Sequence, residues 1–216
     1  MKVNNKQNKT IKVNSIIQSP TIPSAFDVSD EDKIDKIAEY FRAIMETLGL
    51  DLSDDSLKET PKRVAKMYVS EIFSGLNPKN KPEVTLFENN YGYNQMLVEK
   101  NISVYSMCEH HFVPIIGKAH VAYIANGKVI GLSKIHRMVK YFSQRPQVQE
   151  RLTRQIMENL KQTLNIDDVA VVIDARHMCV ECRGVEDVTS STITSAISGQ
   201  FQEDSTRSEF MRFIGM

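Results

Sequence analysis

Two stretches in the first half of the chain carry apolar residues at helical spacing. The first begins after Ser29, which has the spacing of a capping box with Asp32, and it ends before Gly49. The second begins with Thr60 as the predicted N-cap and Pro61 at the first helical position. The pattern predicts two amphipathic helices, which we assign to an N-terminal helical region over residues 29–95.

The rest of the chain switches between strand and helix patterns. Residues 96–131 are rich in strand-forming residues and include Asn126-Gly127, a dipeptide typical of hairpin turns. Residues 133–142 and 148–164 repeat apolar residues at helical spacing, and residues 169–179 return to a strand pattern. This order predicts an α+β domain with an antiparallel or mixed sheet over residues 96–216.

Residues 1–28 have neither pattern. They are rich in Lys, Asn, Gln and Ser and contain two prolines, which predicts a flexible tail. The start of the chain lacks the apolar run of a signal peptide, and no stretch approaches the roughly 18 apolar residues of a membrane span. We therefore expect a cytoplasmic protein without a membrane partner.

Charge and cysteine content narrow the function classes. The 216 residues include 27 Lys plus Arg and 27 Asp plus Glu, a balance that argues against a basic nucleic-acid coat. We expect no nucleic-acid partner, and any bound anion must be met by a local cluster of cations. The three cysteines, Cys108, Cys179 and Cys182, cannot form a full disulfide framework. Sparse cysteines in a reducing compartment are metal ligands, reactive groups or buried apolar residues.

Two segments carry residues that ligate metals. Cys108 and His111 form a Cys-x-x-His pair directly after a predicted strand. His177 and Cys179 share one face at the end of a later strand, if that strand continues through Cys179. If the two segments are adjacent, Cys179 completes a three-ligand set with His177 beside it. Three protein ligands with an open fourth position are typical of catalytic zinc, which lowers the pKa of bound water to about 7.

Cys182 leaves an alternative open. With Cys179 it forms a Cys-x-x-Cys pair that could close a four-ligand structural zinc site with Cys108 and His111. Such a site has no place for water and would indicate a non-catalytic zinc-binding module. Cys182 points away if the strand continues, and only a tight turn would bring it back.

Several basic residues are candidates for binding an anion. Ser133 and Lys134 open a predicted short helix, whose N-terminus favours negative charge. Each cation alone is typical of a solvated surface, but together they indicate a phosphate clamp. The basic candidates are Arg63, Lys66, Lys134, Arg137 and Arg183.

Five separated motifs together resemble the GTP cyclohydrolase I family. They are ETPKRVAKM at 59–67, CEHHF at 108–112, GLSKI at 131–135, QRPQVQERL at 144–152, and HMC at 177–179 with Arg183-Gly184. The resemblance runs from about residue 30 to the C-terminus. It implies a tunnelling fold, an antiparallel sheet with paired helices that forms a barrel on oligomerisation, with N-terminal helices outside it. It also implies a homodecamer of two pentamers that share active-site residues between subunits.

The resemblance further implies a reaction and a role for each matching residue. The family uses Zn2+ to hydrolyse GTP at C8, with water as the second substrate. Formate is released and 7,8-dihydroneopterin triphosphate is formed, the first step of tetrahydrofolate and tetrahydropterin biosynthesis. Matching positions imply zinc ligands at Cys108, His111 and Cys179, catalytic residues at His110, His177 and Ser133, guanine recognition by Gln149 and Glu150, and triphosphate contacts from the five basic candidates. Cys182 departs from the family pattern, and another purine or pterin enzyme of the same fold remains an alternative.

Overall fold

The N-terminal helix begins and ends where the sequence predicts. The computed structural model describes residues 18–216, so the first 17 residues of the predicted tail lie outside the described residues. Helix α1 spans Asp30–Thr47, and the Ser29 hydroxyl accepts a hydrogen bond from the Asp32 N–H at 3.1 Å. The chain leaves the helix through Gly49, whose φ of +82° is readily adopted only by a residue without a Cβ.

The second predicted helix is shorter than its apolar pattern. Helix α2 spans Thr60–Met67 and then widens into a π-helical turn over Tyr68–Ile72. Thr60 is the first helical residue rather than the predicted N-cap, because Glu59 occupies the cap position without a side-chain hydrogen bond. Pro61 lies in the first turn, where its missing N–H leaves no helical hydrogen bond unmade.

Five strands form the central sheet, β2 Met96–Cys108, β3 Pro114–Ile124, β5 Pro146–Gln147, β6 Val169–His177 and β7 Thr192–Ile197. Their order across the sheet is β5-β2-β3-β6-β7. All neighbouring pairs are antiparallel except β2 and β5, which are parallel. Two short strands, β1 Leu86–Glu88 and β4 Lys128–Ile130, form a separate antiparallel pair. The predicted α+β architecture with an antiparallel or mixed sheet is confirmed.

The hairpin predicted at Asn126-Gly127 is wrong. Gly127 does turn the chain, with φ of +80°, but β4 then pairs with β1 instead of returning along β3. The reason is non-local, because β1 supplies the backbone partners that β4 needs, beginning with Leu86 opposite Ile130. The long hairpin of the fold joins β2 and β3, and its turn carries the Cys-x-x-His motif.

Two helices cover one face of the sheet. Helix α3 spans Leu132–Ser143 and α4 spans Gln149–Leu164, so both predicted helices are confirmed to within one residue. They pack against alternate residues of the central strands, because successive side chains of a strand point to opposite faces. The buried residues of this core include Val104, Ala119, Val121, Val171, Ile173, Ile135, Met138, Leu152, Ile156 and Leu160.

The opposite face is covered by an element that the sequence pattern did not predict. Helix α6 spans Asp204–Ile214, after a 3-10 turn over Gly199–Gln202, and it buries Phe210 against Phe201. The rings of these two residues meet edge to face at 5.8 Å. No helix within residues 18–216 is both long and apolar enough to cross a bilayer. The division into a tail, a helical region and a domain from residue 96 stays a prediction.

Candidate active site

The Cys-x-x-His motif forms the tight turn between β2 and β3. Cys108 ends β2 and is buried, and its N–H and C=O both bond across the turn, to Val113 O at 2.8 Å and Phe112 N at 2.9 Å. This turn places His111 Nδ1 3.9 Å from Cys108 Sγ. Cys179 approaches from the end of β6, and the ligand atoms of Cys108, His111 and Cys179 all lie within 4.8 Å of one another.

Cys179 does not extend the strand, contrary to the sequence expectation. Strand β6 ends at His177, and Met178–Glu181 form a single helical turn, α5. This turn brings Cys179 next to Cys108 and His111, and we call these three residues the metal group. Cys182 lies at the exposed end of the turn. Cys182 Sγ donates to Met178 O at 2.9 Å and is not part of the group of ligand atoms. The described residues therefore form a three-ligand group, and nothing in them supports the closed site with a fourth thiolate.

The three donor atoms could hold a metal ion such as zinc. Bonds of about 2.3 Å to sulfur and 2.0 Å to nitrogen place neighbouring donors roughly 3.5–3.8 Å apart. The 3.9 Å between Cys108 Sγ and His111 Nδ1 is close to this value. Burial raises the pKa of the Cys179 thiol, and the hydrogen bond to Cys108 raises it further. A bound cation opposes this effect because it favours the thiolate.

Gln149 fixes the orientation of His177 beside the metal group. His177 Nε2 lies 2.7 Å from Gln149 Oε1. The Gln149 amide nitrogen faces acceptors on two strands, Ile173 O at 3.0 Å and Thr192 O at 2.7 Å. The amide oxygen must then face the imidazole, so we assign the proton of neutral His177 to Nε2 and the free lone pair to Nδ1. The family resemblance implies guanine recognition by Gln149, which is only 1% exposed in the subunit, and this role stays a prediction.

Glu150 supplies the negative charge near His177. It occupies the first turn of α4 and is exposed, next to the buried Gln149. Burial lowers the pKa of His177, and the charge of Glu150 opposes that effect. The imidazole is therefore held close to a carboxylate that stabilises its protonated form. His110 is exposed, and its Nδ1 lies 3.7 Å from Cys108 Sγ.

A partly buried ion pair holds the turn between β2 and β3 against α4. Arg151 of α4 binds the Glu109 carboxylate through a short hydrogen bond and donates from Nε to Gln147 Oε1 at 2.9 Å. The Glu109 N–H in turn donates to Gln147 O at 3.0 Å. Sequence reasoning missed Glu109 and Arg151, although both lie inside the quoted motifs, because a pair 42 positions apart leaves no periodic signal.

A second ion pair holds the Cys179 turn. Arg176 on β6 binds Glu181 at 3.4 Å, and the Glu181 side chain is only 10% exposed. The pair ties the end of α5 back to the strand from which it emerges. This contact was also missed from the sequence.

The basic candidates are divided between two regions of the subunit. Arg183 reaches the metal group, with Nη1 3.2 Å from His111 Nε2. Ser133 and Lys134 lie at the start of α3, next to His136, which binds Glu99 at 2.9 Å. Glu99 and Cys108 are nine positions apart on β2, a separation of about 30 Å at roughly 3.3 Å per residue. The start of α3 is thus at the far end of the sheet from the metal group.

Arg63 and Lys66 lie on exposed positions of α2 and form no hydrogen bond with the metal group within residues 18–216. The segment after α2 does reach the metal turn, because the Phe73 and Phe112 rings meet edge to face at 5.3 Å. All five basic candidates share one property: none forms an ion pair with a carboxylate of the described chain. Their charges are therefore available to an anionic ligand.

The fold and the site define an α+β protein with a Cys–His–Cys group that could hold a metal ion and an oriented histidine beside it. The sequence profile described as GTP cyclohydrolase I matches residues 37–215. The protein named GTP cyclohydrolase 1 from Flavobacterium johnsoniae is 57% identical over 197 residues, covering 91% of this chain and 88% of the relative. That from Vibrio parahaemolyticus is 55% identical over 196 residues, covering 90% and 89%. The chain belongs to the GTP cyclohydrolase I family and is an enzyme, and the predicted tunnelling fold is confirmed.

Among solved structures, the chain is also similar to the archaeosine synthase QueF-Like in the apo form. The TM-score is 0.41 at 20% sequence identity, and the match covers 48% of this chain and 93% of that chain.

Proposed function

We propose that this chain is a zinc-dependent GTP cyclohydrolase I that hydrolyses GTP at C8, releases formate and forms 7,8-dihydroneopterin triphosphate. The observation that carries the proposal is the Cys108–His111–Cys179 group beside the oriented His177, in a chain of this family. The product would enter tetrahydrofolate or tetrahydropterin synthesis in the cytoplasm.

Cys108, His111 and Cys179 would hold the zinc ion, because they offer two thiolates and one imidazole with room for a further ligand. When bound, zinc supplies Lewis-acid activation of water at neutral pH. The Arg183 contact with His111 bears on this role. A hydrogen bond from Arg183 needs the lone pair on His111 Nε2, whereas ligation through Nδ1 puts the proton there. With His111 holding the metal through Nδ1, Arg183 would be free to contact the substrate.

His177 would move the proton that ring opening requires. Attack of water at C8 leaves charge on N7 of the imidazole ring, which must be protonated for the C8–N bond to break. The lone pair of His177 is on Nδ1, because Nε2 is bonded to Gln149. Nδ1 of His177 would take a proton from the attacking water and deliver it to N7 of the guanine. His110, exposed beside Cys108, would serve the second hydrolysis, and Ser133 would serve proton transfer at the ribose.

Glu150 would recognise the guanine, because an exposed carboxylate can accept from two neighbouring N–H groups. Gln149 would serve the same end of the site by orienting His177. The triphosphate would bind five residues that form no ion pair with a described carboxylate, Arg63, Lys66, Lys134, Arg137 and Arg183. Nothing in the reaction cleaves the triphosphate, so these residues would bind and not react.

The distribution of these residues supports an assembly with shared sites. The start of α3, with Ser133 and Lys134, lies at the opposite end of the sheet from the metal group of the same subunit. Within residues 18–216, β7 pairs with a strand on one side only, and β5 covers only two residues of β2. Sheet edges of this kind can pair between subunits. We propose the homodecamer of two pentamers, in which a neighbour supplies the α3 residues.

Two experiments test the proposal. Purified protein is incubated with GTP, and formate, pterin fluorescence and zinc per subunit are measured before and after chelation. Absence of formate with zinc bound would exclude the activity, and faster turnover of another purine or pterin would favour the alternative enzyme. The second experiment mixes subunits of Cys108→Ala with subunits of Lys134→Ala. Shared sites predict that two inactive proteins regain part of the activity together, whereas sites within one subunit predict none.

A further inference from the structure

A cavity of about 570 Å³ lies between the N-terminal segment and the outer side of α3 and α4. Its lining includes Ser19 from that segment, Tyr141 and Arg145 from the end of α3 and the residues after it, and Asn159 from α4. Its volume is in the range of small-molecule sites in proteins. None of the residues assigned to the metal, the guanine or the triphosphate lines this cavity.

Arg145 is a buried cation in this cavity without a counter-charge. The residue is only 9% exposed, yet no carboxylate within residues 18–216 forms an ion pair with it. Its Nη1 donates a long hydrogen bond of 3.4 Å to Ser19 Oγ, and its buried Nε has no hydrogen-bond partner in the described chain. Burial lowers the pKa of Arg145, but a guanidinium keeps its charge at neutral pH. Buried charges in proteins are normally paired, because burial removes their hydration.

Two aromatic rings flank the guanidinium. Arg145 lies 4.5 Å from the Tyr141 ring centre and 4.7 Å from that of Phe142. The two rings are tilted 69° to each other, and cation–π contacts of this length favour the charged guanidinium. The edge of a guanidinium binds carboxylate or phosphate through two parallel N–H donors. The orphaned Nε is one of the donors that such a contact uses.

We propose that this cavity binds a small oxyanion, a carboxylate or a phosphate, on the edge of Arg145. Glu158 also lines the cavity and forms no ion pair with Arg145. Its carboxylate repels a second negative charge, so the anionic group of the ligand faces Arg145. Side-chain amides of Asn159 and Gln162 supply further donors in the same wall. This site is independent of the proposed reaction, because it shares no residue with it.

Calorimetric titration of the zinc-loaded protein with acetate and with inorganic phosphate, at constant ionic strength, tests the site. Arg145→Gln is expected to weaken binding at least tenfold. Arg154→Gln is the matched control, because Arg154 is an exposed arginine of α4 outside the cavity. A Lys134→Gln, Arg137→Gln double variant removes part of the triphosphate set. Both control variants should bind each anion with an affinity within twofold of that of the parent protein. The anion that binds more tightly identifies the ligand class.

A second variant covers the case in which Arg145→Gln does not fold. Asn159→Phe fills the cavity from a half-buried helix position and keeps Arg145, so it should show the same loss of binding. Crystals soaked with bromoacetate or selenate should show anomalous density within hydrogen-bond distance of Arg145. Unchanged affinity in either cavity variant, density only at the triphosphate residues, or a carboxylate of a second copy paired with Arg145 would overturn the proposal.

Discussion

His177 Nε2 and Gln149 Oε1 are joined by a hydrogen bond of 2.7 Å that connects the end of β6 to the first residue of α4. Gln149 is almost fully buried and is itself held by strand carbonyls, so its position is set by the fold and not by a ligand. The imidazole therefore meets the metal group in a fixed orientation, with Nδ1 free. In the proposed reaction, Gln149 would orient the imidazole that transfers a proton without touching the substrate itself.

Gln149→Met should lower the rate of formate release at least tenfold while zinc content stays unchanged. The change removes the acceptor for His177 and leaves two carbonyl acceptors unpaired, which should also cost about 1–3 kcal/mol of unfolding free energy. Thr153→Val is the matched control, because Thr153 bonds Thr194 at 2.6 Å in the same buried network without touching His177. Turnover and unfolding midpoints of both variants are compared. Equal loss of turnover in the two would show that packing, not orientation, explains the effect.

His177→Ala should retain zinc and lose formate production by about 10² to 10⁴, the range of general acid–base catalysis. The imidazole is not in the group of ligand atoms, so its removal leaves the metal site intact. His136→Gln is the control, since this half-exposed imidazole pairs with Glu99 at the end of the sheet far from the metal group. Zinc by mass spectrometry and formate by enzymatic assay separate the two effects. Near-normal turnover of the His177 variant would remove the residue from the mechanism.

Cys108→Ala and Cys179→Ala should each lose zinc and activity, whereas Cys182→Ala should keep both. The first two thiols belong to the ligand group, and the third donates to the Met178 carbonyl at the exposed end of α5. Because all three changes are the same substitution within one site region, each serves as a control for the others. Loss of zinc in the Cys182 variant would contradict the three-ligand assignment.

The parts of the fold that the sequence predicted are those set by local chemistry. Ser29 and Gly49 bound α1 through contacts within a few residues, so the cap and the stop are visible in the sequence. The β1–β4 pair joins residues about 40 positions apart and overrides the hairpin signal at Asn126-Gly127. Strand β7 was missed because it is an edge strand that buries only Ala196 fully, and its pattern of apolar residues is correspondingly weak.

The candidate site was also predictable only where local motifs determine it. Motif spacing predicted Cys108, His111 and Cys179, although Cys179 reaches the group from a helical turn and not from the expected strand face. Contacts that depend on distant elements were not predictable. Arg151 meets Glu109 only because α4 packs beside the β2–β3 turn, and neither residue type nor spacing indicates that pairing.

Gly117→Ala should destabilise the sheet next to the site by about 1–3 kcal/mol or more, as overpacking does in cores. A Cβ at this position of β3 would lie 2.2 Å from Asp174 O and 2.5 Å from Ala175 Cα, and backbone atoms cannot rotate away. Gly131→Ala is the control, because the nearest atom to its Cβ is 3.6 Å away. Denaturant unfolding of both variants checks the prediction. Similar stability of the two would mean that β3 and β6 can separate without cost.

His120→Gln should flatten the dependence of unfolding free energy on pH below about 6.5. His120 is 4% exposed on β3, and its Nδ1 accepts from the Asn101 N–H at 3.5 Å, which requires the neutral imidazole. Burial lowers the pKa of His120, Lys118 and Lys100 lower it further, and Asp174 opposes them.

The sign of this effect follows from proton binding. Because the folded pKa lies below the unfolded value of about 6.5, the unfolded chain binds the proton first as pH falls. Stability from neutral His120 is thus complete above about pH 6.5 and is lost as pH falls through the folded pKa, with a slope of at most about 1.4 kcal/mol per pH unit. Urea unfolding between pH 5 and 7.5 measures this slope. A slope in the His120 variant equal to that of the parent would show that His120 is protonated without cost in the folded protein.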